Sequence, residues 1–297
     1  MRAVATILCC AAMLPIGCSS SAEAPHGSPF LMAVYWKTPG QRTPVWLRDP
    51  DAATATRVPG YATEIDFVFD RRLDGSKIED TVGNATVPKP VPPISVSWPG
   101  IDDPVAPVMS EPRFSHQVFY NSTAAFGGQS SYAFLRPVVP GFPSSTTVTL
   151  SFDKSAFTSA YGEVMDGPDQ IAVEIDVMTI APRRPATADA LETLPPAYTF
   201  PIGFSSRPAP IDRLSPFARA RADGVPIPVA LTGDTVDKTA VFVSAAACLG
   251  GWPMGARIDI SFAAGVPDAF GVATTTEMPA GSFFVTGSPE ARDAGCD

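Results

Sequence analysis

Few residues of this 297-residue chain have the type and spacing to do chemistry. The most suggestive segment is residues 266–271, VPDAFG, which sets Asp268 close to an aromatic residue and a glycine. Such a segment occurs in metal-binding loops, in catalytic loops and in tight turns between strands. Its role depends on what the rest of the chain can supply.

Hydrolysis by a nucleophile requires a base held beside it. The chain has two histidines, His26 and His116, and no Gly-x-Ser-x-Gly motif. Residues 151–154, SFDK, match Ser-x-x-Lys, but they follow a predicted strand and lack the accompanying Ser-Asp-Asn and Lys-Thr-Gly motifs. We therefore expect no enzymatic activity and no cofactor.

Metal binding is also poorly supported by the sequence. Zinc needs three or four converging histidine, cysteine or carboxylate ligands, and the chain is poor in the first two. Acidic pairs occur at Asp49/Asp51, Asp102/Asp103, Asp166/Asp169 and Asp234/Asp237. None has the spacing of a calcium loop, and aspartate is common in turns for other reasons. We predict no metal site, with calcium binding as the alternative.

The N-terminal residues indicate export. Arg2 is followed by an apolar run over residues 4–13 and then by small residues before Cys18, which is the layout of a secretory signal. The sequence LPIGC-SSSAE resembles the end of a bacterial lipoprotein signal, although Pro15 stands where leucine is usual. The resemblance implies a signal peptide over residues 1–17, and a lipidated Cys18 that anchors the protein at the outer membrane or cell surface. A plain cleaved signal and an uncleaved anchor are the alternatives.

Composition limits the partners. The formal net charge is −9, without a cationic stripe, so we expect no binding to nucleic acid. The partners are then the membrane, through the lipid, and a cell-surface protein or glycan. Trp98 and Trp252 are candidates for a ligand surface, although an aromatic residue of a β-sandwich more often lies in the core.

Two cysteines remain once the signal is removed and Cys18 is acylated, namely Cys248 and Cys296. An even pair in an exported protein favours a disulfide. It would close a loop of about 49 residues and contribute about 4 kcal/mol in the chain-entropy model. Two unrelated thiols are the alternative.

Alternation of apolar and polar residues predicts an all-β fold. In residues 64–70, EIDFVFD, it places Ile65, Phe67 and Phe69 on one face. Strands are predicted over residues 64–70, 146–152, 171–179, 198–204, 239–245, 256–262 and 281–287, and a further edge strand over 94–98. Short helical turns are compatible with residues 74–80 and 215–222. The 33 prolines argue against a helical bundle.

The chain also repeats itself. Residues 147–162 and 257–271 share one design, an alternating strand that ends in Ser-Phe and leads to Ala-aromatic-Gly, closing at Gly162 and Gly271. Residues 65–78 correspond in the same way to 200–214. Ser159 takes the place of Asp268 in the first copy, so we expect the aspartate to be a structural turn residue that bonds a nearby backbone N–H, and both glycines to have positive φ.

Each copy thus has an alternating strand, TVTL at residues 147–150 or IDIS at 258–261, then a turn and a last strand; in the second copy the turn is Asp-x-x-Gly. This order resembles bacterial immunoglobulin-like (Ig-like) domains found in tandem on surface and S-layer-associated proteins. The resemblance implies two tandem Ig-like β-sandwiches with a spacer, adhesion or binding role; a carbohydrate- or calcium-binding surface module is the alternative. The expected organisation is a signal peptide (1–17), a lipidated tether (18–29), a first domain with a Pro-rich insertion (30–181), a linker (182–196), a second domain (197–288) and a tail (289–297).

Overall fold

The computed structural model describes residues 27–82, 85–101, 116–121, 131–138, 141–183, 192–235 and 238–288. Cys18 and Cys296, and with them the predicted signal peptide and most of the tether, lie outside the described residues. Among the described residues, no helix has the length and apolar character needed to cross a bilayer.

The first module consists of β-strands from residue 31 to residue 175. The strands are β1 Leu31–Thr38, β2 Gln41–Leu47, β3 Arg57–Val58, β4 Glu64–Phe69, β5 Glu79–Val82, β6 Ala85–Pro88, β7 Ile94–Ser97, β8 His116–Asn121, β9 Ser131–Pro137, β10 Thr147–Phe152 and β11 Gln170–Ile175. One sheet has the order β2-β1-β4-β9-β8 and the other has the order β3-β11-β10-β7, while β5 and β6 form a separate hairpin. The two sheets pack face to face around one hydrophobic core.

The second module is built in the same way from residue 180 to residue 285. Its strands are β12 Ile180–Pro182, β13 Thr193–Leu194, β14 Phe200–Phe204, β15 Ala218–Ala222, β16 Val225–Ile227, β17 Val229–Gly233, β18 Ala240–Ala245, β19 Arg257–Phe262 and β20 Met278–Val285. The sheets have the orders β12-β14-β18-β17 and β13-β20-β19-β15-β16 around a second core. A four-residue helix, α1 Ile211–Leu214, is followed by a 3-10 turn at Ser215–Phe217.

The two modules match strand for strand. Without β2, β5, β6 and β16, the order β1-β4-β9-β8 corresponds to β12-β14-β18-β17, and β3-β11-β10-β7 corresponds to β13-β20-β19-β15. In each module a two-residue strand runs parallel to the last strand, β3 beside β11 and β13 beside β20. The repeat predicted from the sequence is therefore confirmed.

Alternation explains why these segments form the sheets. In β10, TVTLSF, the side chains of Val148, Leu150 and Phe152 are buried, while the intervening residues face outward. All seven predicted strands are present within a few residues of their expected bounds. β7 lies at the edge of its sheet, as expected for residues 94–98.

The linker prediction is wrong at both ends. Pro182 lies in β12, which pairs with β14 opposite Ile202, and Thr193 and Leu194 form β13 beside β20. The second module thus begins near residue 178 and not at residue 197. Strands of two or three residues are too short to show alternation, and an edge strand accepts the proline that suggested a linker.

A second difference concerns residues 218–222, ARARA, within the segment where a helical turn was expected. The turn at Ser215–Phe217 is present, but β15 begins immediately after it. Ala218, Ala220 and Ala222 face the core, and Arg219 and Arg221 face outward. Because alanine is a weak hydrophobic signal, this alternation was not identified from the sequence.

Candidate functional site at the junction of the two modules

The VPDAFG segment forms a tight turn between β19 and β20. The carboxylate oxygen Oδ1 of Asp268 accepts hydrogen bonds from the backbone N–H groups of Phe270 and Val272, at 2.8 and 2.9 Å. The N–H of Gly271 donates to the Asp268 carbonyl at 3.0 Å, and Gly271 has a φ of 86°. A residue with a Cβ is strained at that φ, which explains the glycine.

The first module contains the same turn with a different acceptor. The hydroxyl of Ser159 accepts from the N–H groups of Tyr161 and Glu163, at 3.2 and 3.3 Å. The N–H of Gly162 donates to the Ser159 carbonyl at 2.9 Å, and its φ is 83°. The Ser159 hydroxyl therefore accepts from the two backbone N–H groups that are equivalent, in its own turn, to those that Oδ1 of Asp268 accepts from. The turn itself does not require a carboxylate.

The second oxygen of Asp268 explains why the second copy has an aspartate. Both the N–H and the hydroxyl of Ser144, in the first module, donate to Oδ2 of Asp268 at 2.8 Å. Both residues are buried, Asp268 with 1% of its surface exposed and Ser144 with 2%. Burial raises the pKa of Asp268, and its four hydrogen bonds oppose that rise. The expectation of a purely local turn residue is therefore corrected, because Asp268 also joins the two modules.

Aromatic and backbone contacts surround this pair. The ring of Trp98 meets Phe270 edge to face, with centroids 5.7 Å apart, and also packs against Phe142 of its own module. The N–H of Tyr61 donates to the Ser205 carbonyl across the junction at 3.0 Å. Trp98, a candidate for a ligand surface, is thus half-buried at the contact between the modules.

Gly60 of the first module packs directly against Ser206 of the second. A Cβ at this position would lie 2.3 Å from the hydroxyl oxygen of Ser206, in the second module, and 2.8 Å from the Phe142 carbonyl oxygen. Ser206 has no exposed surface. The junction is therefore packed closely enough to exclude even a methyl group.

A repeated element, of which the first copy lies at the junction, was missed by the sequence analysis. Between β9 and β10 the chain reads Gly141-Phe142-Pro143, and between β18 and β19 it reads Gly251-Trp252-Pro253. The N–H of Phe142 donates to the Gly60 carbonyl at 2.7 Å, and that of Trp252 donates to the Pro196 carbonyl at 2.8 Å. Comparing the two copies between the fifth and sixth paired strands would have revealed it.

Aligning the two copies on Gly-aromatic-Pro identifies the positions at which they diverge. The residue after Gly-aromatic-Pro is Ser144 in the first module and Met254 in the second. The acceptor of the turn is Ser159 in the first module and Asp268 in the second. The copies thus differ at the two positions that meet across the junction, and each module has the polar residue that its side of the junction requires.

Trp252 is not a ligand-surface residue, and the prediction for it is corrected. Its side chain is 2% exposed in the second core, where it meets Phe283 edge to face at 5.5 Å. Its indole N–H donates to the Tyr198 carbonyl at 2.6 Å. It closes the end of the second sandwich, as Phe142 closes the first against Trp36 at 4.7 Å.

The other predicted residues lie away from the junction. Cys248 is exposed in the 3-10 turn Ala247–Leu249, and its pairing with Cys296 stays a prediction because Cys296 is outside the described residues. Lys154 of the Ser-x-x-Lys match forms an ion pair with Asp169 at 2.7 Å. Within the described ranges, no three histidine, cysteine or acidic residues converge as metal ligands would.

A second polar cluster lies on the outer face of the first module's five-stranded sheet. Asp66, on β4, is 4% exposed and binds Arg42 through Oδ2 at 2.9 Å. Lys37 pairs with Glu64 and lies 3.6 Å from Oδ1 of Asp66. The Arg42 guanidinium stacks on the ring of Tyr35, 3.8 Å from its centroid. Burial and a hydrogen bond shared with Glu64 raise the pKa of Asp66 to about 6, although the positive charges of Lys37 and Arg42 act to lower it.

The strand order defines the class of protein. In an Ig-like domain, strands one, two, five and four form one sheet, and strands three, six and seven form the sheet that faces it. In the first module these seven strands are β1, β4, β7, β8, β9, β10 and β11. Each module has this order once its additional strands are set aside, which are β2, β3, β5 and β6 in the first module and β13 and β16 in the second. The chain is therefore an all-β protein of two tandem Ig-like sandwiches.

Comparisons with known proteins add little to this assignment. No protein-family model matches the chain, and no curated protein matches its sequence. Among solved structures, it is similar to the full ectodomain, Ig1 to Ig3, of mouse nectin-like molecule 4, at 10% identity and a TM-score of 0.20. That match covers 80% of this chain and 64% of the ectodomain's length. At so low a TM-score the likeness carries no argument, and the assignment depends on the strand order.

Proposed function

We propose that the protein is a non-catalytic cell-envelope protein, anchored by a lipid on Cys18, in which two Ig-like modules form a rigid spacer that holds a binding surface away from the membrane. The observation that carries the proposal is the bond between Ser144 and Asp268. Modules within a chain move relative to one another by default unless their interface is strong. Separation here would leave a buried carboxylate without two of its donors and would expose Trp98, which favours one fixed arrangement.

The path of the chain supports a spacer. The N–H of Gly27 donates to Oε2 of Glu163, and the N–H of Phe30 donates to Oδ1 of Asp70, both at 2.8 Å. The first bond holds the end of the tether against the turn that follows β10, and the second holds the chain against the residue that follows β4. Ser144 lies just before the start of β10. The tether and the junction are thus at opposite ends of the first sandwich, about 20 Å apart for a six-residue strand.

With a lipid on Cys18, this arrangement would hold the second module on the side of the first that is away from the membrane. The acidic net charge of −9 favours a protein or glycan partner over nucleic acid. The free ends and outer faces of such sandwiches are the surfaces through which they usually contact partners. The spacer would present those of the second module.

Anchoring is tested by producing the full chain in a bacterial host fed an alkynyl fatty acid. We expect label on the wild type and recovery with the membranes, and loss of both in Cys18→Ala. Cys10→Ala, which replaces a cysteine that leaves with the predicted signal peptide and keeps the apolar run, is the matched control and should keep the label. A labelled or membrane-bound Cys18→Ala protein would contradict the anchor, and turnover on an ester, glycoside and peptide panel would contradict the non-catalytic role.

A further inference from the structure

A groove of about 380 Å³ opens at the junction, between residues 144–145 of the first module, the connection at 177–180 and the segment 273–279 of the second. Its volume lies within the range of small-molecule sites, roughly 300–1,000 Å³. Such sites often lie between domains. Both modules form its walls, so the groove exists only while the junction is closed.

The lining is rich in hydroxyl groups. Ser145, Thr179, Thr275 and Thr276 lie along it beside aliphatic side chains such as Val177. Among the described residues that line the groove, one carries a charge, Glu277, whose Oε1 accepts a hydrogen bond from Ser261 at 2.6 Å. A hydroxyl both donates and accepts hydrogen bonds, so this lining complements an uncharged ligand that is itself rich in hydroxyls.

Three of these hydroxyls are available. Those of Ser145, Thr275 and Thr276 make no hydrogen bond within the part of the chain that the structure describes. The neighbouring hydroxyls of Ser144 and Thr274 already bind Asp268 and the N–H of Val266. The groove thus presents unused donors and acceptors next to a fixed polar framework.

Ser145 gives the second, independent indication of a site. Its φ is 55°, in the left-handed region that disfavours residues with a Cβ. In the register set by Gly-aromatic-Pro, the equivalent residue of the second module is Gly255, with a φ of 70°. The first module thus has a strained serine where the second has the unstrained glycine, and strain of this kind concentrates at functional sites.

We propose that this groove binds a neutral sugar of one or two rings, with Ser145, Thr275 and Thr276 bonding its hydroxyls and Val177 packing against its C–H groups. Glu277 accepts a further hydroxyl and disfavours anionic sugars. The inference needs the closed junction and not the lipid anchor, so it can fail or hold independently of the anchoring test.

The experiment screens the purified full-length protein in detergent against an array of neutral and uronic-acid-containing oligosaccharides, and then titrates the strongest neutral ligand by calorimetry. We expect Ser145→Gly to raise the melting temperature, since it relieves the strained φ, and yet to weaken binding about fivefold to tenfold. Thr275→Ala should weaken binding to a similar degree without the rise in melting temperature.

Asp223→Gly is the matched control. Asp223 is the other described non-glycine residue with positive φ, at 49°, and lies in the turn between β15 and β16 outside the groove. This variant should keep the wild-type affinity. It relieves a similar strain but also removes the carboxylate that accepts the N–H of Arg257 at 2.9 Å, so the control is read from the affinity and not from the melting temperature. An array without a neutral ligand, binding confined to anionic sugars, or full affinity in Ser145→Gly would each overturn the proposal.

Discussion

Asp268 shows how one residue can serve two structures. Its Oδ1 holds a turn of the kind that the Ser159 hydroxyl holds in the first module, and its Oδ2 reaches Ser144 in the other sandwich. The serine of the first copy shows that the local task needs a single acceptor oxygen. The carboxylate is therefore retained for the contact between modules, and substitutions can separate the two tasks.

We predict that Asp268→Ser keeps the turn and loses the junction bond. A serine can accept from Phe270 and Val272 as Ser159 does from its own turn, but it cannot reach Ser144. The buried N–H of Ser144 is then unsatisfied, which costs about 1–3 kcal/mol in the free energy of unfolding. Urea denaturation followed by tryptophan fluorescence measures the loss.

Asp268→Asn should cost at least as much as the serine variant. The asparagine side chain has an NH₂ group in place of one carboxylate oxygen, and an NH₂ group cannot accept a hydrogen bond from an N–H. If the NH₂ replaces Oδ2 it faces the N–H of Ser144, and if it replaces Oδ1 it faces those of Phe270 and Val272. Ser144→Ala, which removes the hydroxyl and keeps the N–H bond, is the milder control. An asparagine variant as stable as the wild type would show that the carboxylate is dispensable.

At the scale of the element, β4 combines a hydrophobic face with a polar face that is also largely buried. Ile65, Phe67 and Phe69 point into the core, as alternation predicted. On the other face Asp66 is surrounded by Lys37 on the neighbouring β1, by Arg42 on β2 beyond it, and by Glu64 on its own strand. A buried carboxylate in a sheet face makes the stability of the sheet depend on pH.

The sign of that dependence follows from the raised pKa. Between its ordinary value of 3.8 and about 6, Asp66 holds in the folded state a proton that it has lost in the unfolded state. Its contribution to the free energy of unfolding is therefore fully present below this window and is lost as the pH rises through it. Glu64, whose pKa is lowered, contributes the opposite slope at lower pH.

We predict that Asp66→Asn removes the contribution of Asp66. The free energy of unfolding of the variant relative to the wild type should increase as the pH rises from about 4 to about 6 and then level off. Urea titrations across this range measure it. Asp169→Asn, which removes an 87% exposed carboxylate of the same module, controls for the loss of charge. A difference that is constant with pH would contradict the account.

At the scale of the whole molecule, the junction turns two independent cores into one body. Each sandwich has its own hydrophobic cluster, of residues 31–175 and 178–285. What joins them is local: the bond between Ser144 and Asp268, the contact of Trp98 with Phe270, and the close approach at Gly60. The junction can therefore be opened while both cores remain folded.

Gly60→Ala should open the junction. Its Cβ would lie 2.3 Å from the Ser206 hydroxyl oxygen, a contact that only a displacement of the second module or local rearrangement can relieve. We expect a larger radius of gyration and a broader distance distribution by small-angle X-ray scattering. Gly233→Ala, where the nearest atom is 3.4 Å away in the side chain of Ile211, should leave both unchanged. An unaltered scattering profile in Gly60→Ala would contradict a tightly packed junction.

The sequence by itself determined the strands, the all-β class and the two-copy design. Alternation is a property of neighbouring residues, because successive side chains of a strand point to opposite faces whatever the strand pairs with. The positive φ of Gly162 and Gly271 could be predicted for the same reason, since a tight turn is set within a few residues. Two-residue strands such as β13 were missed because they are too short to show a period.

Only the tertiary structure decided what the candidate residues do. Ser144 and Asp268 are 124 positions apart, and nothing in either local sequence shows that the end of one sandwich meets the turn of the other. For the same reason Trp98 could not be assigned to the junction or Trp252 to the core. Which surfaces of two folded modules come together depends on the connection between them and on the fit of their ends, and these are decided only once both sandwiches have formed.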